Sequence, residues 1–398
     1  MADAQGINKL LVAKKEVTWG TKATAGSANY YRRVTGSFQL EKDTYTSNEI
    51  RPSQQTSDMR HGTRKSSGTI NGELAGNSYE EFIQAALRKD FIAGATTGAQ
   101  TTISATATTN LFTRSAGSFV TDGFNVGTVI LNSGFVAPGN NGLFVILSMS
   151  ATVLTVAPLA GQTIVTVAAG ASVTILEKGK KTYVPLTAHT DDSFTVEEWH
   201  PDALVSRIFL GQQVDTLALG LQPNSMATID IGFMGKDAEA ATSSAYFTTP
   251  TAVGGEGIYS APDGFLFING VANGKVTSLT INVANGIQQE AVIGSNSIGS
   301  KSRGKVAATV SGSAIFADST ILNYFDAETE VSIIYVLMTA DDTNAFSVYM
   351  PRVKIGSSNT DDGEKVIILS FDGTALEYTG SGVGIQKTTI QISDTTLT

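Results

Sequence analysis

The stretch Asn48-Glu49-Ile50-Arg51-Pro52-Ser53-Gln54-Gln55-Thr56-Ser57-Asp58-Met59-Arg60-His61-Gly62-Thr63-Arg64-Lys65-Ser66-Ser67-Gly68-Thr69-Ile70-Asn71-Gly72-Glu73-Leu74 is polar and charged, and large apolar side chains are scarce before Ile70. Such a segment cannot build a packed core, so water or another molecule must hold it. Strand-like segments flank it, Arg33 to Leu40 before and Ser67 to Leu74 after. The whole therefore reads as a long hairpin projecting from a sheet. A structureless loop of this length inside a compact domain is uncommon, and the usual reasons for one are function or disorder. It reads here as a contact arm.

Working outward, a chain of 398 residues suggests about two or three domains. Forty Gly, nine Pro, frequent Thr, Val and Ser, and few long helical patterns indicate a mainly β protein with many turns. The chain has no cysteine, so disulfides and thiolate metal sites are excluded. A net charge of −9 argues against a protein that grips duplex phosphates, which takes clustered Lys and Arg. The start, Met1-Ala2-Asp3-Ala4-Gln5-Gly6, lacks the basic and apolar regions of a signal peptide, and no span is apolar enough for a transmembrane helix. A protein soluble when made is expected.

Residues 1–29 hold one short apolar patch, Leu10-Leu11-Val12, and read as an N-terminal arm lying on a surface rather than as core. Tyr30 to Leu40 and Ser67 to Leu74 suit half-buried strands. A helix follows: Ser78 with Glu81 forms a capping-box signature, and Arg88 and Lys89 sit where the dipole favours positive charge. Tyr79, Phe82, Ile83, Ala86 and Leu87 share one face, which should cover a sheet. Residues 93–181 shift to Thr, Ala, Val and Gly, with apolar alternations at Thr128–Leu131, Leu143–Leu147 and Val153–Val156 punctuated by glycines. This is a small all-β module. Ser193 to Trp199 and Ala227 to Phe233 read as strands again.

The second half repeats the first. Thr69-Ile70-Asn71-Gly72 aligns with Thr309-Val310-Ser311-Gly312 at an offset of 240, which also places Ser78 on Asp318 and Phe82 on Leu322. Ile229–Gly235 aligns with Ile367–Gly373 at an offset of 138. The drop in offset, about a hundred residues, matches the Thr/Val-rich module, which therefore reads as an insertion on the outer face of the first copy. Residues 242–263, rich in Ser, Thr, Gly and Pro, read as a linker. Ala284 to Lys305 is the second copy's polar arm. Two equivalent domains per chain let three chains close a ring presenting six similar faces.

Asn-Glu-Ile-Arg-Pro at 48–52, Asp-Met-Arg-His-Gly-Thr-Arg at 58–64, Ser-Gly-Thr-Ile-Asn-Gly-Glu-Leu at 67–74, and the opening Lys9 to Thr21 resemble the major tail tube proteins of long-tailed, siphovirus-type bacteriophages. The resemblance covers the N-terminal quarter by identity and the rest by pattern. It implies a mainly β fold of two tandem tail-tube-type β-sandwich or barrel domains, each with a short helix, plus the inserted β domain. The expected division is 1–29 arm, 30–92 with 182–241 first domain, 93–181 insertion, 242–263 linker, 264–383 second domain and 384–398 tail. It also implies a virion tail subunit, assembled in the host bacterial cytoplasm into stacked rings around a DNA channel. Partners would be other copies of itself, the tape measure, tail terminator and tail-tip proteins, and DNA that slides past without specific binding. Neither an active site nor a cofactor is implied.

The residues themselves offer little catalytic chemistry. His61, His189 and His200 are far apart and lack metal-ligand spacing; His61 reads as an arm residue at a subunit contact. Phosphate-loop and nucleophile-elbow motifs do not occur. Asp191-Asp192, Asp341-Asp342 and Asp361-Asp362 lack the spacing of a calcium loop and read as surface turns. Lys178, Lys180 and Lys181 read as a solubilising joint. Glu49, Arg51, Asp58, Arg60, His61, Arg64 and Lys65 of the arm are the expected contacts between subunits or rings, Arg forks pairing with carboxylates. Leu10, Leu11 and Trp19 of the N-terminal arm, with Lys301 and Arg303 of the second polar arm, complete that set. The net charge predicts a negative channel surface. The competing class is a carbohydrate- or receptor-binding module carried by the inserted domain; an enzyme ranks last because paired carboxylates do not stand out.

Overall fold

The computed structural model describes residues 3–362 and 364–398; Met1 and Ala2, the start of the expected arm, lie outside the described residues. Antiparallel strands dominate, with short helices at Glu80–Leu87 and Thr320–Asp326. Strands from both halves run side by side in one continuous sheet. Its order is Thr35–Thr46, Met59–Glu73, Thr228–Gly235, Val205–Leu221, Val276–Ala284, Ala307–Ile315, Ile368–Ala375 and Ala345–Thr360. The two halves join where Val205–Leu221 pairs with Val276–Ala284, from Thr216 opposite Ala284 to Leu221 opposite Leu279.

Period-two alternation decides which face of this sheet is dry. Phe38, Ile70, Ile231, Leu217, Ile281, Val310, Phe371 and Ile355 point into the main core, which also holds the apolar face of the first helix. Tyr79, Phe82, Ile83, Ala86 and Leu87 are all buried, as that face requires. Phe82 stacks on Tyr31 and meets Phe194 and Phe233 edge-on. The capping box does not form. The helix starts at Glu80 with Tyr79 as N-cap, Ser78 Oγ donates to the Gly76 carbonyl, and Glu81 accepts from the Tyr31 hydroxyl, so both capping groups are engaged elsewhere.

Strand register gives the offsets between the two halves directly. Ile70 faces Ile231 as Val310 faces Gly373, so the last strands correspond at an offset of 142 rather than 138. The difference of four is even, which is why the alternation hid it. The 138 offset holds one strand earlier, where Leu217 faces Ile231 as Ile355 faces Gly373.

The inserted segment forms a six-stranded sheet from Ile103–Thr106 to Thr174–Glu177. Its core does not join the first half. It is continuous with Phe267, Ile334, Val336, Met338, Ala345 and Tyr349 of the second. The run Ile333 to Met338 therefore has a core on each face: Ile333, Tyr335 and Leu337 in one, Ile334, Val336 and Met338 in the other. Its unbroken apolarity comes from this double coverage.

Three segments expected to be peripheral are structural. Leu10–Lys15 is a strand paired with Phe194–His200, and Leu11, Val12 and Ala13 are buried; a short apolar patch suffices when a neighbouring strand supplies its hydrogen bonds. The 384–398 tail contains the strand Gln391–Asp394, wedged between Lys180–Tyr183 and Phe346–Tyr349 with Ile390 and Ile392 fully buried. The 242–263 linker is tied down: Tyr246 and Phe247 amides donate to Glu197, and Phe247 and Tyr259 are buried.

Candidate assembly surfaces

The Asn48–Leu74 stretch holds the loop and the returning strand, Met59–Glu73, of a hairpin in which pairing continues to Thr46 opposite Met59. Beyond it, Asn48 to Thr56 are exposed, and Ile50 at the tip is 98% exposed. Glu49 pairs with Arg51 at 2.7 Å and Asp58 with Arg60 at 2.8 Å, all four side chains in solvent. Neighbours two apart in sequence can fold back on one another in this way, which leaves the arm charge-balanced. His61 is exposed and unassociated with the other histidines in sequence or pairing. Lys65 reaches Glu41 across the hairpin at 3.4 Å.

The second arm is also a hairpin, Ile287–Glu290 against Ser300–Arg303, and it shows what such an arm grips. It folds onto the first half of its own chain. Lys301 Nζ lies 2.6 Å and Arg303 Nε 2.9 Å from the Asp191 carboxylate. Asp215 accepts the Ile287 amide and Gln289 donates to the Gly235 carbonyl. The Arg64 amide donates to the Asn296 carbonyl, while the Arg64 side chain pairs with Asp237 at 2.6 Å. At its root, fully buried Asn285 donates to the Ala86 and Val214 carbonyls. Burial pushes the Asp191 carboxyl up, but the bond to Lys301 and the Arg303 charge outweigh it and hold Asp191 below the usual carboxylate range. Burial meanwhile lowers Lys301 and Arg303 despite that partner. Only the carboxylate titrates in acid, so it governs the low-pH behaviour. The tip again exposes an isoleucine, Ile293.

The expected contact set thus divides. Glu49, Arg51, Asp58, Arg60 and His61 stand on a free arm. Arg64, Lys301 and Arg303 make contacts between the halves of one chain. Leu11 is 2% exposed within the chain's own core and Leu10 is half-buried beside it. Trp19 donates to the Gly211 carbonyl at 3.1 Å, with Lys236 and Lys301 over its ring. These last three act inside the chain, because the segment carrying them is woven into the sheet rather than laid on a surface.

The basic group at 178–181 is corrected as well. Lys181 is buried and pairs with equally buried Glu177 at 2.6 Å. Glu177 further accepts from the Asn125 and Ala95 amides and the Thr128 hydroxyl. It is a fully bonded ionic joint at the root of the inserted module.

A third surface was not legible in any single segment: the polar face of the continuous sheet. Opposite the core side chains it presents Ser37, Gln39, Ser67, Thr69, Asn71, Asp230, Gly232, Thr216 and Ala218 from one half. From the other come Thr280, Asn282, Thr309, Ser311, Ser313, Ser370, Asp372, Thr374 and Ser357. Small neutral groups dominate. Asp230 accepts from Asn71 and Asp372 from Ser357, while three basic groups at the sheet's ends, Lys65, Lys354 and Arg352, are paired with Glu41, Glu328 and Glu330. Among the described residues, no helix is long and apolar enough to cross a membrane.

No curated protein matches the chain. A family model described as phage tail tube protein matches residues 6–375, nearly the whole length. With its mainly β architecture, its projecting hairpins and that match, the chain belongs to the phage tail tube protein family.

Proposed function

We propose that this chain is the major tail tube subunit of a long-tailed, siphovirus-type phage, polymerising into stacked rings through which DNA is ejected. The observation that carries this reading is the continuous sheet with one dry face, one face of small polar groups, and four strands from each half of the chain. Side by side, three such chains make a closed wall of six similar units with the polar face turned inward. The wall repels rather than grips DNA: its Asp230 and Asp372 carboxylates face the lumen, and Lys65, Arg352 and Lys354 are each paired with a glutamate. The free arm, with Ile50 at its tip, reaches the next ring. The role is passive and needs neither cofactor nor active site. Tape measure, terminator and tip proteins are the partners at the lumen and the tube ends, and assembly takes place in the host cytoplasm.

The glycan-binding alternative finds no support in the inserted module. Its aromatic side chains, Phe112, Phe119, Phe124, Phe135 and Phe144, are all buried, leaving none to stack on a sugar. Negative-stain microscopy of the purified chain tests the reading. Stacked rings with an open channel are expected; a stable monomer at high concentration overturns it.

A further inference from the structure

The joint between the two halves of the chain has a defined register. Across the first half, Gly36, Ile70, Ile231 and Leu217 lie in one hydrogen-bonded row, and Leu217 continues across the joint to Val283. The equivalent row in the second half is Ile281, Val310, Gly373 and Ile355. Gly36 thus corresponds to Ile281, and Phe38 to Val283. Both outer edges lack a strand partner among the described residues: Thr35–Thr46 pairs only with Met59–Glu73, and Ile355–Thr360 only with Ile368–Ala375.

We propose that the Gly36–Phe38 edge of one copy pairs antiparallel with the Ile355–Ser358 edge of the next, with Ile355 opposite Phe38 and Ser357 opposite Ser37. The occupant is a second copy of this chain, because the intrachain joint already shows the two edge types joined. Ala218 faces Asn282 there, and these are the counterparts of Ser357 and Ser37. The flanks agree with this register. Val34, at one end of the first edge, and Val366 and Ile367, beside the Thr360 end of the other, are exposed apolar side chains that the antiparallel pairing brings to the same end. The proposal rests on reading the chain as self-assembling and adds the register.

One feature differs between the joined and the free edge. In the lone chain the Phe38 amide donates to Glu198 Oε1 at 2.9 Å, and the Gly36 carbonyl accepts from Lys9 Nζ at 2.7 Å. Lys9 and Glu198 are themselves paired at 2.5 Å. At Ile281 and Val283 a neighbouring strand occupies this side. The Lys9–Glu198 pair is therefore a placeholder that satisfies the edge until the next chain displaces it. An open edge of this kind otherwise invites indiscriminate pairing.

The chain lacks cysteine, so engineered pairs report cleanly. Ser37→Cys with Ser357→Cys places two thiols directly across neighbouring strands, within disulfide reach. Mild oxidation of assembled tubes is expected to give a ladder of linked chains on a non-reducing gel. Ser37→Cys with Asn359→Cys, one diagonal away, is expected to link poorly. Tubes that form without the 37–357 link, or that link better at 37–359, overturn the register while leaving the tube intact. If the unaltered chain forms no assembly, the tube reading falls and the joint with it. Glu198→Gln, which weakens the placeholder but keeps its size, is expected to shorten the assembly lag several-fold at unchanged circular dichroism. A lengthened or unchanged lag overturns the placeholder.

Discussion

Glu177 shows how much one buried charge can decide in this chain. Its carboxylate and the Lys181 ammonium are both nearly inaccessible, and three further donors complete the carboxylate's bonding. Removing one partner strands the other charge in the interior, which costs about 3–5 kcal/mol. Glu177→Gln should therefore lower the unfolding free energy from chemical denaturation by that order, whereas Glu177→Gln with Lys181→Met should recover much of the loss. Asp191 gives a second test at the same scale. Its folded-state carboxyl is held below the unfolded-chain value of ~3.9, so docking of the second hairpin gains stability above that unfolded value. The gain is lost as pH falls through the folded value. Trp19, which lies under Lys301, reports this in a Trp199→Phe background. Its emission should change below about pH 4, and Asp191→Asn should abolish that transition. Neither role was legible in sequence: Asp191-Asp192 resembles any surface turn until Lys301 and Arg303, more than a hundred residues on, are folded against it.

Among whole elements, the two hairpins differ in what holds them. The second is docked on the first half of its own chain, and the first stands free; both end in an exposed isoleucine. A tip side chain that buries nothing in the lone chain can be changed there at little cost, within about 0.5 kcal/mol for a surface site. Ile50→Asp should therefore leave the thermal midpoint unchanged and block the stacking of rings seen by microscopy; tubes of normal length would show that the tip makes no contact. The polar arm was readable because its composition excludes a core, and the first helix because its apolar face keeps a 3.6-residue period. Leu10–Lys15 and Gln391–Asp394 were misread for the opposite reason. Each is too short to declare a period, and each is a strand only because Phe194–His200, or Lys180–Tyr183 with Phe346–Tyr349, lies beside it. The Thr/Val-rich segment forms a sheet of its own, and the surface it packs on was not legible in its sequence. The apolar residues that receive it, Ile334, Val336 and Met338, alternate with those of the main core and read as one run.

In the whole molecule, the decisive property is that one sheet face is dry and the other carries small polar groups with isolated carboxylates. A net charge of −9 does not by itself place any charge on that face; the sheet register does, by putting Asp230 and Asp372 at corresponding positions of the two halves. Three of the basic side chains at the sheet's ends, Lys65, Lys354 and Arg352, are engaged by acids, which lowers the positive charge free to hold a phosphate backbone passing this face. Converting Asp230 and Asp372 to Lys reverses that in every unit of the wall without touching the core. Tubes of the double variant should still form, and they should retain DNA at low salt and release it as salt rises, because phosphate contacts exchange for counterions. Binding of labelled single- and double-stranded DNA to assembled tubes, measured across a salt series, reads this directly. Equal retention by unaltered and variant tubes would mean that the polar face does not line the channel.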